Sequence, residues 1–425
     1  MVTIMIDLLF NNSKNLIQIN SVSNWGSTGR IASGVGEIAI GVGWKSWIAY
    51  GRDAQPGHSQ LIKIGSRLDQ ACHLLQTRLL DRHGLASEVA TKNLLKQMEK
   101  IEPALIHLHN IHGYFLNYPL LFDWLKRWGG PVVWTLHDCW PFTGHCAYYD
   151  YVHCDRWQSG CHDCPQLRSY PRSLFMDRSF ANYNSKRRCF SGLKNIIIVP
   201  VCDWLKHEVE RSFLSQYPIH RIYNGINLAR FYPTGLPPVN MVLGVASIWE
   251  KRKGFADFIA LRAKLPDEIG ITIVGLPKKK IKTLPKGITG IERVNSYENL
   301  RKLYSEAIAF VNPTWEDSFP TTNLEALACG TPVVTYHTGG SPEAVDEQTG
   351  FIVDKGDING LVAAIEKVRA NRHSYTAACR QRAERLYSQQ ERFREYIGLY
   401  DDMLKKIKGG VKSLLSFPKG GQHDY

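Results

Sequence analysis

Two acids stand eight residues apart, at Asp317 and Glu325, in the segment NPTWEDSFPTTNLEALACGTPVVTYHTGGSPE (312–343). The apolar run Ala309–Val311 leads into a loop that holds Asp317, and a helical pattern begins near Thr321. The amides that open such a helix present free N–H groups beyond the strand end, an anion site suited to a pyrophosphate. A carboxylate about one turn inside cannot favour phosphate, but it can accept two hydrogen bonds from a ribose diol. The same spacing also fits a plain alternative, an acidic helix start with Glu325 buried against a cation. Upstream, ASIWEKRKG (246–254) sets Arg252 and Lys253 ahead of a glycine. Cations there can stabilise a departing diphosphate; as a bare pattern they are equally a solvated loop.

Other polar residues close short apolar runs. Ser27-Thr28-Gly29-Arg30 follows the run Leu16–Asn20, and a glycine there lets backbone approach a diphosphate or an acceptor. Arg30 either faces an acceptor phosphate or caps the next helix. His137 ends the run Val132–Leu136, where it either contacts a sugar from the cleft edge or is satisfied within the core. Of the two histidines in Ile106–Asn110, His109 is expected to face the cleft. Four of the ten cysteines, Cys146, Cys154, Cys161 and Cys164, end in a CxxC pair. Four thiolates can close a tetrahedral structural zinc site, with free buried thiols and disulfides as the alternatives.

These residues need a scaffold, and the chain spells one. Short apolar runs alternate with longer amphipathic stretches, the pattern of parallel strands covered on both faces. Strands are expected at Leu16–Asn20, Ser46–Tyr50, Leu105–Leu108, Val132–Leu136 and Asn195–Val199, with a helix over Ile31–Ile40. The pattern restarts after the turn Tyr223-Asn224-Gly225. Strands then follow at Val242–Ala246, Ile271–Val274, Ala309–Val311 and Pro332–Thr335, with helices at Phe255–Lys264, Tyr297–Glu306 and Thr322–Cys329. A last helical pattern covers Asn359–Lys408. The fold class is α/β, two Rossmann-like doubly wound domains facing a cleft. The expected division is 1–225, with a Cys-rich insertion over about 139–170, then 226–385, then a C-terminal helix and tail (386–425) that return to the first domain. Length agrees with two domains.

The 312–343 segment resembles the Glu-x7-Glu signature of retaining GT-B glycosyltransferases of family 4, with Asp317 in place of the first Glu. The following Ala-Leu-Ala-Cys-Gly-Thr-Pro-Val-Val and Gly-Gly-Ser-Pro-Glu are similar too, and the likeness runs from about Asn15 to Tyr400. It implies that Asp317 holds donor-sugar hydroxyls and Glu325 the nucleotide ribose. The amides of Phe319, Thr321 and Thr322 would hold sugar and diphosphate, and Pro320 stands where a glycine is common. ASIWEKRKG resembles the family's Gly-Arg-Leu…Lys-Gly segment, with Ser247 at the usual Arg and Lys253 at the Lys. Gly29 falls in its N-terminal Gly-rich loop, and His137 on its active-site histidine. The stretch Trp134–Pro171, with its cysteines, resembles a subgroup that builds colanic acid and other bacterial exopolysaccharides. The resemblance implies a hexosyltransferase-type enzyme, retention of configuration and no catalytic metal. It further implies a nucleotide-diphosphate sugar as donor and an oligosaccharide or polyprenyl-diphosphate-linked acceptor.

Lys and Arg number 52 and Asp and Glu 39, a formal net charge of +13, which favours anionic partners. The charge forms no single stripe and no nucleic-acid module is recognisable, so nucleic acid is not expected. Basic runs at Lys186–Arg188, Lys278–Lys280 and Lys405–Lys408 are read as solvated surface or as contacts to an anionic membrane. No run is long and apolar enough to span a bilayer, and the N-terminus lacks the charge and cleavage pattern of a signal peptide. A cytoplasmic protein, peripheral at the inner face of the plasma membrane, is expected. The alternatives are another GT-B enzyme, such as an epimerase or phosphorylase, and a non-enzymatic zinc-stapled binding protein.

Overall fold

The computed structural model describes residues 14–415, with side chains to residue 407. The N-terminal stretch read as an extension, the Lys408 side chain and the final tail lie outside the described residues. The first domain is a six-stranded sheet of β1 (Asn15–Asn20), β2 (Lys45–Tyr50), β3 (Gln60–Lys63), β4 (Leu105–Leu108), β5 (Val132–Leu136) and β6 (Ile196–Pro200). Its order is β3-β2-β1-β4-β5-β6, and every pairing is parallel.

The second sheet repeats that order with β7 (Val239–Val245), β8 (Gly270–Val274), β9 (Ile288–Ile291), β10 (Ala307–Asn312), β11 (Val333–Tyr336) and β12 (Gly350–Val353). It runs β12-β11-β10-β7-β8-β9. In both sheets the strand order reverses at the centre, and the crevice beyond the C-terminal strand ends at that point is where such sheets bind ligands.

The central strands form because both their faces are covered. Every residue of β1, β4, β5, β10 and β11 is buried. The sequence reading lacked β3, β9 and β12, all edge strands of four residues with solvent-facing positions. The helix expected over Ile31–Ile40 starts earlier and spans Gly26–Gly41. The single C-terminal pattern is three helices, Ile358–Ala370, Arg372–Tyr387 and Gln389–Leu415, separated by non-helical Asn371 and Ser388.

The chain crosses between the domains at two adjacent strands of backbone. Ile226 N–H donates to Tyr387 O at 2.7 Å, and Gln389 N–H donates to Ile226 O at 3.0 Å. Gly225 permits this approach, since a Cβ there would lie 2.5 Å from Gln389 Cα. Beyond the crossing, Phe393, Tyr396 and Tyr400 pack with Leu16, Val35, Leu105 and Val133 of the first domain.

Candidate active site

β10 delivers the chain into the loop 313–320 and then into the helix Thr321–Ala328. Pro320 precedes this helix and no side chain caps it. The opening amides of Thr321 and Thr322 therefore have no acceptor within the helix. The Phe319 side chain is buried and stacks on Tyr223 at 5.2 Å.

Glu325 is 8% exposed, and the Tyr304 hydroxyl donates to its Oε2 at 2.8 Å. Burial raises its pKa, against the field of Arg30 and the Tyr304 hydrogen bond. Arg30, from the other domain, donates to the Tyr297 hydroxyl at 3.2 Å and to Gly26 O at 2.9 Å. Arg30, Ser27, Arg230, Tyr297, Thr321 and Glu325 all line one interdomain cleft of about 340 Å3.

Across the helix start sits the turn that carries the cations. Lys253 Nζ forms an ion pair with Asp317 Oδ2. Burial lowers the Lys253 pKa, while Asp317 acts to raise it. Arg252 Nη1 donates to Glu316 O at 2.9 Å, and its guanidinium lies 4.3 Å from the Tyr148 ring centroid. Gly254 closes this turn at φ +74°, where a Cβ would lie 2.0 Å from Pro313 O. The Gly339-Gly340 pair supports the same loop from below: a Cβ at Gly339 would meet Asp317 O at 1.8 Å, and Gly340 N–H donates to Ser318 O at 3.0 Å.

On the facing domain His137 follows β5, half-buried, with its Nε2 3.2 Å from His109 Nδ1. The network fixes its tautomer. Gln18 Nε2 donates to Ala32 O at 2.8 Å, which turns Gln18 Oε1 toward His109 Nε2 at 3.0 Å. His109 must donate there, and burial holds it neutral, so its Nδ1 is an acceptor. His137 therefore donates through Nε2–H and keeps the Nδ1 lone pair free. Burial also lowers the His137 pKa to about 4, so the ring is neutral near pH 7. Behind His109, His107 bonds Tyr400 and Thr135 at 2.6 and 2.8 Å, tying the relay to the C-terminal helix.

Three residues, His109, Gly29 and Lys186, are placed differently from the sequence expectation. His109 does not face the cleft; it is 1% exposed and acts through His137. Gly29 is not in an open loop but in the first turn of the helix, where a Cβ would meet Val22 and Asn24 at 3.0–3.3 Å; Gly26, at φ +62° with open space around it, is the glycine at the exposed bend. Cys146, Cys154, Cys161 and Cys164, the expected zinc ligands, lie close together: Cys146 and Cys164 are hydrogen-bonded, and the other two thiols are near enough to help raise the Cys146 pKa. All ten cysteines are free, and the Cys161 sulfur accepts from Gly144 N–H at 3.1 Å. Among the described residues no three His, Cys, Asp or Glu side chains are placed to hold a metal ion. Lys186, assigned above to a solvated run, is also buried: its Nζ donates to Trp140 O and Thr143 O at 2.7 and 3.0 Å.

The insertion does something the sequence did not announce. It crosses to the second domain, where Tyr151 N–H donates to Glu316 Oε1 at 2.7 Å and Asp150 meets Lys355 and Thr338 at 2.8 and 2.9 Å. Glu343 reaches back, accepting from the Asp203 and Trp204 amides at 2.8 and 2.6 Å. Tyr304, which orients Glu325, was also missed; an aromatic in a helical pattern gives no sign of its hydroxyl's partner.

Residues 239–371 match the family described as glycosyl transferases group 1. Over 418 residues, 92% of this chain and 100% of the relative, the chain is 26% identical to an Escherichia coli K12 protein named for colanic acid biosynthesis, the glycosyl transferase WcaC. The chain is thus similar to a glycosyltransferase along nearly its whole length, and its two-sheet fold is that of GT-B enzymes. A capsular polysaccharide biosynthesis glycosyltransferase of Staphylococcus aureus, CapM, is 34% identical over 110 residues, 25% of this chain and 29% of the relative. The fold of this chain is similar to that of sucrose-phosphate synthase from Thermosynechococcus elongatus, with TM-score 0.69 and 17% identity over 92% of this chain and 100% of that one. It is also similar to Anabaena HepE solved with UDP, with TM-score 0.63 and 12% identity over 92% and 100% of the two chains.

Proposed function

We propose that this glycosyltransferase moves a hexosyl group, with retention of configuration, from a nucleoside-diphosphate sugar to a lipid-linked oligosaccharide of a bacterial surface polysaccharide. The observation that carries the reading is the convergence at one helix start. The free amides of Thr321 and Thr322, the buried Glu325 and the Lys253–Asp317 pair all meet where the second sheet ends. The structures of HepE with UDP and with UDP-glucose support a uridine donor as the first to test. The similarity to proteins named for colanic acid and capsular polysaccharide biosynthesis supports the acceptor class.

Each residue then has a physical task. Thr321 and Thr322 amides hold the diphosphate. Glu325 accepts from the ribose hydroxyls. Arg252 and Lys253 offset the charge that grows on the leaving diphosphate as the glycosidic bond breaks. Lys253 holds Asp317 Oδ2, which leaves Oδ1 to accept from sugar hydroxyls. His137 Nδ1 accepts another, since the relay keeps its proton on Nε2. Arg30 comes from the acceptor domain and closes the cleft near Glu325, excluding water and aligning the acceptor hydroxyl. The reaction is placed at the cytoplasmic face of the plasma membrane, with the enzyme peripheral to it.

The test is transfer itself. The full chain is incubated with a panel of nucleotide sugars and a membrane extract or short-chain lipid diphosphate sugar as acceptor. Released nucleoside diphosphate and the anomeric coupling of the product are measured. An axial donor giving an axial product supports the reading; inversion, or sugar release only as epimer or sugar phosphate, overturns it.

A further inference from the structure

The helix Arg67–Leu80 is built inside out. Leu68, Cys72, Leu75 and Leu79 recur at spacings of four, three and four, so they share one face of the helix. That face is outside: Leu68 is 73% and Leu75 57% exposed. The inner face holds His73 and Thr77, both fully buried. His73 is satisfied there by Ser87 Oγ at 2.8 Å and Gly84 N–H at 2.9 Å, and the Thr77 hydroxyl donates to His73 O at 2.9 Å. Polar groups are thus bonded inside while leucines face water, the reverse of a helix placed only to fill a core.

A second segment extends the apolar surface. Leu174 N–H donates to Arg78 O at 2.8 Å, and Arg78 Nη1 donates to Arg172 O at 3.3 Å, so residues 172–180 lie against the end of the helix. There Phe175 is 75% and Phe180 63% exposed. Large exposed apolar side chains on two segments that touch mark an interaction site. The charge around it has one dominant sign: Arg67, Arg78 and Arg172 belong to the two segments, while Arg178 has its Nε buried. Of the acids, Asp69 is taken up by Ser66 N–H and Oγ at 2.7 Å each. Asp177 is taken up by the Cys164 and Ser179 amides at 2.6 and 2.8 Å, and Glu88 adds one negative charge nearby. Leucine and phenylalanine rimmed by arginine match an anionic lipid surface, where apolar side chains enter the acyl boundary and cations meet head groups.

The patch also has the right neighbour. Asp81 ends the helix and pairs with His145, beyond β5, at 2.6 Å, which places the helix at the cleft side of the sheet. Tyr170, just before the second segment, bonds His112 at 2.9 Å. His112 bonds Asp138 at 2.9 Å, and Asp138 adjoins His137.

We infer that the outer face of the helix Arg67–Leu80, with Phe175 and Phe180, docks the enzyme on an anionic bilayer and sets the acceptor domain's cleft edge at the membrane. The inference extends the proposal of a lipid-linked acceptor. It also moves membrane contact from the Lys186–Arg188 run, whose lysine is buried, to this arginine-rimmed face.

The full chain is floated with vesicles of phosphatidylcholine alone and of phosphatidylcholine with phosphatidylglycerol. The variants are Leu68→Glu/Leu75→Glu and Arg67→Glu/Arg172→Glu, all at exposed side chains, with UDP titration as the check of a folded donor site. Binding to the anionic vesicles alone, weakened roughly fivefold or more per arginine removed in Arg67→Glu/Arg172→Glu and weakened also by Leu68→Glu/Leu75→Glu, supports the inference. Equal binding by the variants, or no binding by the wild type, overturns it. A concentration-dependent dimer that Leu68→Glu/Leu75→Glu abolishes also overturns it, by making a second copy the occupant. Vesicle binding without sugar transfer would fail the functional proposal and leave the docking face standing. Transfer to a water-soluble acceptor without vesicle binding would do the opposite.

Discussion

His137 Nε2 lies 3.2 Å from His109 Nδ1, and the proton between them belongs to His137. The assignment follows from a backbone carbonyl two residues away in the relay, because Ala32 O orients Gln18 and Gln18 orients His109. A half-buried histidine that follows β5 is thereby set with its Nδ1 as a free acceptor.

Gln18→Leu removes the group that decides the tautomer while keeping the buried volume. Loss of one buried hydrogen bond of this kind costs about 1–3 kcal/mol, roughly tenfold in turnover. The expected result is a lower kcat with nucleotide affinity unchanged, and a shift of the His137 15N resonances toward mixed tautomers. The acid side carries a linked signature. The His137 pKa is lowered by burial to about 4, below its unfolded value. Its stabilising contribution is therefore complete above the unfolded value and is lost as pH falls toward 4. A melting series from pH 7 to pH 4 on wild type and His137→Asn measures it; the variant should show the shallower acid decline.

Lys253→Ala and Arg252→Ala address the leaving group. Electrostatic stabilisation of this type is worth roughly 100–1000-fold in kcat. Each variant should lose most of its turnover while UDP affinity falls far less. Lys253→Ala should be the more damaging to donor-sugar positioning, because Asp317 loses its ion-pair partner. Parallel initial-rate kinetics and UDP titrations separate the two effects.

Glu316 gives a test of the interdomain contact. Its carboxyl accepts from Tyr151 N–H at 2.7 Å, and burial pushes its pKa up to about 7. Because the folded value is raised, the acid destabilises the fold as pH rises from the unfolded value through 7, and the penalty is complete above that. Glu316→Gln keeps an acceptor for Tyr151 and carries no charge. Its melting temperature should exceed that of the wild type at pH 8 by roughly a few degrees and match it at pH 5.

The outline of both domains was readable because their central strands are buried on both sides and so are continuous apolar runs, as at Val132–Leu136 and Leu105–Leu108, whose bounds match the reading. The edge strands Gln60–Lys63 and Ile288–Ile291 were not, since half-solvated strands of four residues mix polar and apolar types as loops do. The Asp317–Glu325 segment stood out through motif and turn chemistry. What one sequence could not show was the side a residue faces. His107, His109 and His137 read alike as histidines near strand ends, yet the first two are buried behind the third. Lys186 read as surface because it sits in a basic run, although Trp140 and Thr143 enclose its ammonium. The reach of Asp150 and Tyr151 across the cleft is a tertiary fact with no local signature.

Glu325 and the uncapped helix start before it are the proposed nucleotide site. Calorimetric titration of UDP, GDP and ADP, and of their common sugar conjugates, into wild type and Glu325→Ala tests it most directly. One nucleotide series is expected to bind the wild type, and Glu325→Ala to lose at least about tenfold in affinity while remaining folded, as for two lost hydrogen bonds to a charged group. Equal binding by the two proteins, or no nucleotide binding by a folded wild type, would contradict it.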